Sequence, residues 1–396
     1  MPNWERTDGI TAINSAGLLF GEVMPFWYSA KPDGSVSLIT NTSSTALRDV
    51  VRAARAQGQR VVPSIVDATG KARLAEILAD PVQRSAHVQA IVNVVNTGID
   101  GRPYDGIDLD YEGFAFTDGR VTWAATQPNW IAFVKELGAA IDAQTVGKIL
   151  SVTVPPIWSG PNVGYWVYGP CAQDEAFNYT ACAPKWADLM PSMDRLRLMV
   201  YDYSFSSAGP TAPLHWAEDT ITYVKATVPP GELGKVHLGV PAYGYSFGTK
   251  VSGTCPADAL ARKALTPANA AALAASKGAT MTTVTANGAG RPIGEKTFTY
   301  QETVTGTTGT PVVPPTYIPP PNRAEVVPGP ADPDSLKPAM RIPPVGTTTC
   351  VVKRTVWVSD TDSIVQRVNW AQSAGLGGAV IWALGYETAD LWPALR

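Results

Sequence analysis

Short apolar runs alternate with longer amphipathic stretches along most of the chain. Runs at 18–28, 35–40, 60–66, 106–112, 148–154, 195–203, 235–243 and 378–384 are rich in β-branched or apolar residues and read as strands. Stretches at 45–57, 85–96, 128–144, 186–193 and 363–374 carry helix-like patterning and lie between them. Strands that alternate with helices predict a parallel sheet with crossover helices. This many strands over such a length predict an α/β fold of the (β/α)8 TIM barrel type. A doubly wound open sheet is the alternative, but no Gly-rich phosphate loop follows any strand.

Residues 245–360 break the pattern after the seventh strand. Ala-rich helical text at 267–277 precedes alternating Thr/Val text at 297–305, a Pro-rich run at 311–344 and a returning strand at 353–360. The expected organisation is a catalytic barrel from 1–244 and 361–396, with a small α+β insertion at 245–360. Cys255 and Cys350 bracket the Pro-rich run, which favours an ordered subdomain closed by a disulfide. Cys171 and Cys182 are expected to form a second one. No C-x-x-C motif suggests zinc, and two disulfides imply an oxidising compartment; four free thiols in a cytosolic enzyme are the alternative.

The candidate chemistry lies in Asp105-Gly-Ile-Asp-Leu-Asp-Tyr-Glu112. Side chains alternate along a strand, so Asp108, Asp110 and Glu112 share one face and Ile107, Leu109 and Tyr111 the other. In a parallel barrel the apolar set packs on helices and the acids point inward, with Glu112 nearest the C-terminal end where active sites form. Asp105 is off that parity and reads as structural. Neighbouring carboxylates cannot all ionise cheaply, so at least one pKa is expected to rise, which makes Glu112 a candidate general acid. A calcium loop would need an acid where Gly119 stands, and a surface acidic strand would expose Ile and Leu. The three histidines form no metal-spaced cluster, so no metal and no cofactor are expected. A net charge of −3 gives no reason to expect nucleic acid or an anionic membrane as partner, and a monomer is expected. No apolar run is long enough to cross a bilayer, and the first residues carry no leader pattern; with the expected disulfides, a secreted or cell-surface protein in its mature form is expected.

Asp105-x-x-Asp108-x-Asp110-x-Glu112 resembles the D-x-x-D-x-D-x-E signature of family 18 glycoside hydrolases, the chitinase-like barrels. Met199-Val-Tyr-Asp202, Leu238-Gly-Val-Pro-Ala-Tyr-Gly244 and Gly377-Gly-Ala-Val-Ile-Trp382 resemble the family's motifs on strands six, seven and eight. Two departures stand out: Tyr111 where Trp is common, and Ser64-Ile-Val-Asp67 where many members read S-I-G-G. The resemblance implies a retaining, substrate-assisted hydrolase of β-1,4-linked N-acetylglucosamine polymers. It implies Glu112 as acid and then base, Asp110 on the substrate's acetamido N–H, Asp108 sharing a proton with Asp110, and Tyr201 on the acetamido carbonyl. Asp202 would bind sugar hydroxyls and Trp382 would floor the cleft, with Tyr243 and Trp27 as wall residues. The loop after strand five, with Trp158, Tyr165, Trp166, Tyr168 and Tyr179, either walls the cleft or folds on its own small core. The Trp382-Ala-Leu-Gly-Tyr-Glu387 ending resembles bacterial members that include spore-cortex and peptidoglycan-active enzymes. Peptidoglycan hydrolysis, N-glycan release and a non-catalytic chitinase-like lectin are the alternatives.

Overall fold

The computed structural model describes residues 1, 6–39, 44–99, 101–144, 147–157, 165–169, 185–307 and 347–396. The central sheet is an α/β barrel of the (β/α)8 type, and its strands lie side by side in chain order. From Phe26–Ala30 it runs through Ser64–Asp67, Gly106–Asp110, Ile149–Val154, Arg195–Leu198 and Val236–Pro241 to Gly378–Trp382, every neighbouring pair parallel. The run expected as strand two differs: Val36–Leu38 pairs antiparallel with Phe26–Ala30 as a hairpin. Lys31 and Gly34 close its turn through Gly34 N–H to Lys31 O (2.8 Å), and Gly34 sits at φ 82°, where side chains are disfavoured.

Proline shapes two of the strands. Glu22–Val23 pairs with Arg60–Val61, and the strands resume at Phe26 and Ser64. Pro25 and Pro63 sit in the gaps, because neither can donate to the ladder. Their carbonyls still serve the sheet, accepting from Ser64 N–H (2.8 Å) and Asp108 N–H (2.9 Å).

Crossover helices cover the outer face, among them Ser44–Ala56, Pro81–Thr97, Trp123–Asp142, Leu214–Thr227 and Thr361–Ser373. Pro81–Thr97 starts where Asp80 caps the N–H groups of Val82 and Gln83, with Pro81 in the first turn. Ile107 and Leu109 are buried against this layer. Pro128 was expected to open the next helix, yet that helix begins at Trp123 and Pro128 lies inside it. Aromatic packing explains the extension: Trp123 donates its indole N–H to Phe114 O (2.6 Å) and meets Trp166 edge-on. Burying that turn outweighs the one backbone donor that proline lacks.

After Pro241 the chain enters a five-stranded antiparallel sheet, in the order Lys263–Leu265, Gly244–Gly253, Thr347–Val358, Pro292–Thr307, Thr282–Ala286. Helix Pro267–Ser276 packs Ala270 and Ala274 onto Phe298, Val356 and Val358. Cys255 and Cys350 are disulfide-bonded. Cys171, Cys182, Trp158, Tyr179 and the Pro-rich run at 311–344 lie outside the described residues.

Candidate active site

The acid strand is buried along its whole length. Asp105, at its base, accepts from Val61 N–H (2.8 Å) and so ties two strands together. Asp108, 1 % exposed, accepts from three hydroxyls: Ser64 (2.8 Å) on one oxygen, Ser151 (2.5 Å) and Thr153 (2.8 Å) on the other. This follows from register, since Ser64 and Ser151 are its lateral neighbours on the flanking strands. Asp110 Oδ1 and Glu112 Oε2 are buried and have no protein partner. Gly113 lets the chain turn immediately afterwards; a Cβ there would fall 2.1 Å from Asp67 Oδ2.

Burial pushes the Asp110 carboxyl well above the ordinary aspartate range, and the neighbouring Asp108 adds to this. Glu112 is pushed well up by burial first, then by Asp110 and Asp202. Both groups therefore hold their protons into a range where free carboxyls have lost them. The sign for stability follows: the folded state binds more protons than the unfolded chain, so these groups make stability fall as pH rises from about 4 through their folded-state pKa values. Glu112→Gln should flatten that decline. Urea unfolding of both proteins at pH 5 and pH 8 checks it, and an equal drop in each would refute the linkage.

Tyr201 stands across from the acids. Its hydroxyl is pushed well up by burial and by the carboxyls of Asp110, Glu112 and Asp202, so it remains a donor. Gly239 on the next strand makes room for it; a Cβ there would lie 3.0 Å from the ring and 2.4 Å from Leu198 O. Asp202 follows in a left-handed conformation (φ 64°) and accepts from Tyr243 (2.6 Å) and Tyr245 (2.8 Å). The Arg262 guanidinium is held between the rings of Phe205 (3.8 Å) and Tyr245 (3.9 Å), and its charge acts on Asp202. Trp382 and Phe26 meet edge-on at 5.6 Å across the opening between the first and last strands. Both line the same small cavity as Asp108, Asp110 and Tyr201.

The chain matches glycosyl hydrolases family 18 over residues 23–387. It belongs to that family. No curated protein sequence matches it. Among solved structures it resembles the C-terminal domain of a chitinase candidate from Desulfitobacterium hafniense DCB-2 (TM-score 0.68, 22 % identity, 100 % of this chain and 97 % of that one). It also resembles the spore cortex-lytic enzyme SleL of Bacillus cereus (TM-score 0.63, 16 % identity, 98 % and 69 %). A third is a class V chitinase of Nicotiana tobaccum in complex with NAG4 (TM-score 0.64, 15 % identity, 98 % and 95 %). At these identities the likeness is one of fold.

In this family 18 chain, Asp108, Asp110, Glu112, Tyr201, Asp202, Tyr243 and Trp382 converge on one end of the barrel, while Asp105 stays at the strand base. Trp27 does not join them. It is 1 % exposed and packed in the core, because the first strand bulges between Phe26 and Tyr28 and leaves Phe26 facing the cavity. Trp166 and Tyr168 are likewise core residues, and Tyr168 donates its hydroxyl to Tyr111 O. Tyr165 is different: half-buried against Phe116 and Trp123, its hydroxyl feels Glu112 and Asp202. Tyr111, in place of the usual Trp, packs outward, where its hydroxyl donates to His87 Nε2 (2.7 Å). His87 Nδ1–H in turn donates to Gly34 O (2.7 Å). Sequence reading gave no site role to Ser64, met there only as the first residue of the Ser64–Asp67 stretch, nor to Ser151, Thr153, Tyr245 and Arg262. Only their cross-strand register or tertiary placement marks them.

Proposed function

We propose that this protein is a retaining, substrate-assisted hydrolase of β-1,4-linked N-acetylglucosamine polymers, chitin or chito-oligosaccharides. The observation that carries the reading is the acid row. Both oxygens of Asp108 accept from hydroxyls, while Asp110 and Glu112 are raised in pKa and keep a buried oxygen without a protein partner. Buried polar atoms without partners are uncommon in folded proteins, and here two of them lie on successive acids of one row, with Asp110 acting on Glu112.

Family 18 enzymes use the substrate's own acetamide rather than a protein carboxylate as nucleophile. The acetamido carbonyl oxygen attacks the anomeric carbon as the glycosidic C–O bond breaks, and Glu112 gives its proton to the leaving oxygen. Asp110 accepts from the acetamido N–H, and its carboxyl offsets the positive charge of the oxazolinium ion, while the Tyr201 hydroxyl orients the acetamido oxygen. Glu112, now a carboxylate, takes a proton from the water that attacks the anomeric carbon and opens the ring. Asp202, held by Tyr243 and Tyr245, presents its remaining acceptors to sugar hydroxyls. Secretion fits the disulfide and a polymeric substrate.

The likeness to SleL motivates a second reading, the same chemistry on peptidoglycan. A product profile from chitin oligomers beside purified peptidoglycan separates the two. Release of chitobiose or longer chito-oligosaccharides is expected; cleavage of peptidoglycan alone would move the substrate assignment. Binding without turnover of either would make the protein a lectin. Tyr165→Ala is expected to raise KM for oligomers by roughly 10-fold with stability little changed, as for loss of one aromatic contact. Unchanged KM would assign Tyr165 to packing alone.

A further inference from the structure

Beneath the acid row lies a buried charged layer that the chemistry above does not use. Arg197 is 3 % exposed and belongs to strand Arg195–Leu198, which leads to Tyr201. Its lateral neighbours are Thr153 and His237, and Thr153 is one of the hydroxyls that hold Asp108. One terminal nitrogen donates to Glu22, while Nε and Nη1 have no protein partner. Arg197 lines the same cavity as Asp108, Asp110 and Tyr201. Glu22 is shared: Arg195 also grips it, through Nε (3.1 Å) and Nη2 (2.8 Å).

We propose that Arg197 is a positioning residue which, balanced by Glu22, sets the electrostatic level of the acid row from the barrel floor and thereby the pH range over which Glu112 works. A cation buried this deeply, with two donors free and an aspartate across a shared cavity, is costly to keep unless its field is used. Its interaction partners are Asp108 and Glu22, which favour its charge, and Arg195, which opposes it. Asp108 acts on Asp110, and Asp110 on Glu112, so the effect reaches the acid through the row. His237, the lateral neighbour of Arg197, is lowered by burial, then by Arg197, to about 4, so it is uncharged near neutrality.

The inference rests on the reading of Glu112 as the acid, and two substitutions with opposite signs test it. Removing the cation makes every carboxyl in the row harder to ionise, so Arg197→Met should move both limbs of the kcat/KM–pH profile upward by about one pH unit. Removing the balancing anion does the reverse, so Glu22→Gln should move them downward. Arg197→Lys, which keeps the charge, should leave the profile near that of the wild type. A carboxyl-carbon NMR titration of glutamate-labelled protein, with the Glu112 signal assigned through Glu112→Gln, should show the same displacements without turnover. Lower activity at every pH with both limbs fixed would reduce Arg197 to a structural role and overturn the proposal. Should wild type prove inactive, the hydrolase reading fails, and the NMR midpoints alone decide: unmoved midpoints overturn the inference. If Arg197→Met does not fold, Glu22→Gln decides it by the same criterion.

Discussion

Glu112→Gln is expected to lower kcat on chito-oligosaccharides by roughly 10³-fold, the usual contribution of a positioned general acid. The substitution keeps the volume and one carbonyl acceptor, so the buried site should still pack. What it removes is a proton held by a carboxyl that burial, Asp110 and Asp202 all push upward. KM should change little, because Glu112 acts on the leaving oxygen rather than on binding. The loss should also depend on the leaving group. A nitrophenyl aglycone departs without full protonation, so its loss should be smaller than for a sugar leaving group. An equal loss on both, or activity retained within a few-fold, would remove Glu112 from the role. Asp110→Asn should also lower kcat, since an amide carries no negative charge to offset that of the oxazolinium ion.

The acid row was legible because its information is local. Alternation placed Asp108, Asp110 and Glu112 on one face, and the same argument set Asp105 apart; the structure has Asp105 on a backbone N–H of the neighbouring strand. The Cys255–Cys350 disulfide was legible for a similar reason, two cysteines bracketing one insertion. What could not be read depends on register between distant strands. Ser64, Ser151 and Thr153 are ordinary residues until pairing sets them around Asp108. Asp202 shows the boundary within one site: Tyr243 lies in a recognisable motif, while Tyr245 comes from the first strand of the insertion. Trp27 shows how parity fails, for one bulged residue sends the neighbouring Phe26 to the cavity instead. The hairpin strand Val36–Leu38 has the composition of a parallel strand, and only the short turn before it decides its direction.

The second large effect lies where the insertion meets the barrel. Arg367→Met is expected to destabilise the protein by about 3–5 kcal/mol, the cost of leaving a buried charge without its partner. Arg367 is 1 % exposed on helix Thr361–Ser373 and donates to Glu295 (3.2 Å), to Ile293 O and Gly294 O (both 3.0 Å), and to Ser363 O (2.8 Å). Nε also donates to Ala212 O (2.9 Å), as does the terminal nitrogen that reaches Ile293 and Glu295. Glu295, fully buried, accepts from the backbone N–H groups of Thr211 (2.7 Å) and Ala212 (2.6 Å). The pair thus clamps three parts together: the insertion, a crossover helix and the segment that follows Asp202. Removing the cation strands Glu295, whose carboxyl burial already pushes upward, so the loss should be greater at pH 8 than at pH 5. Melting should fall by roughly 4–6 °C. The double substitution Glu295→Leu with Arg367→Met should recover part of that loss, since it leaves no charge unpaired, although the Thr211 and Ala212 donors stay orphaned. The clamp also holds the backbone leading out of Asp202, so a folded Arg367→Met at low temperature should show a raised KM with kcat less affected. A melting point within about 1 °C of wild type would show that the clamp contributes nothing net to the fold.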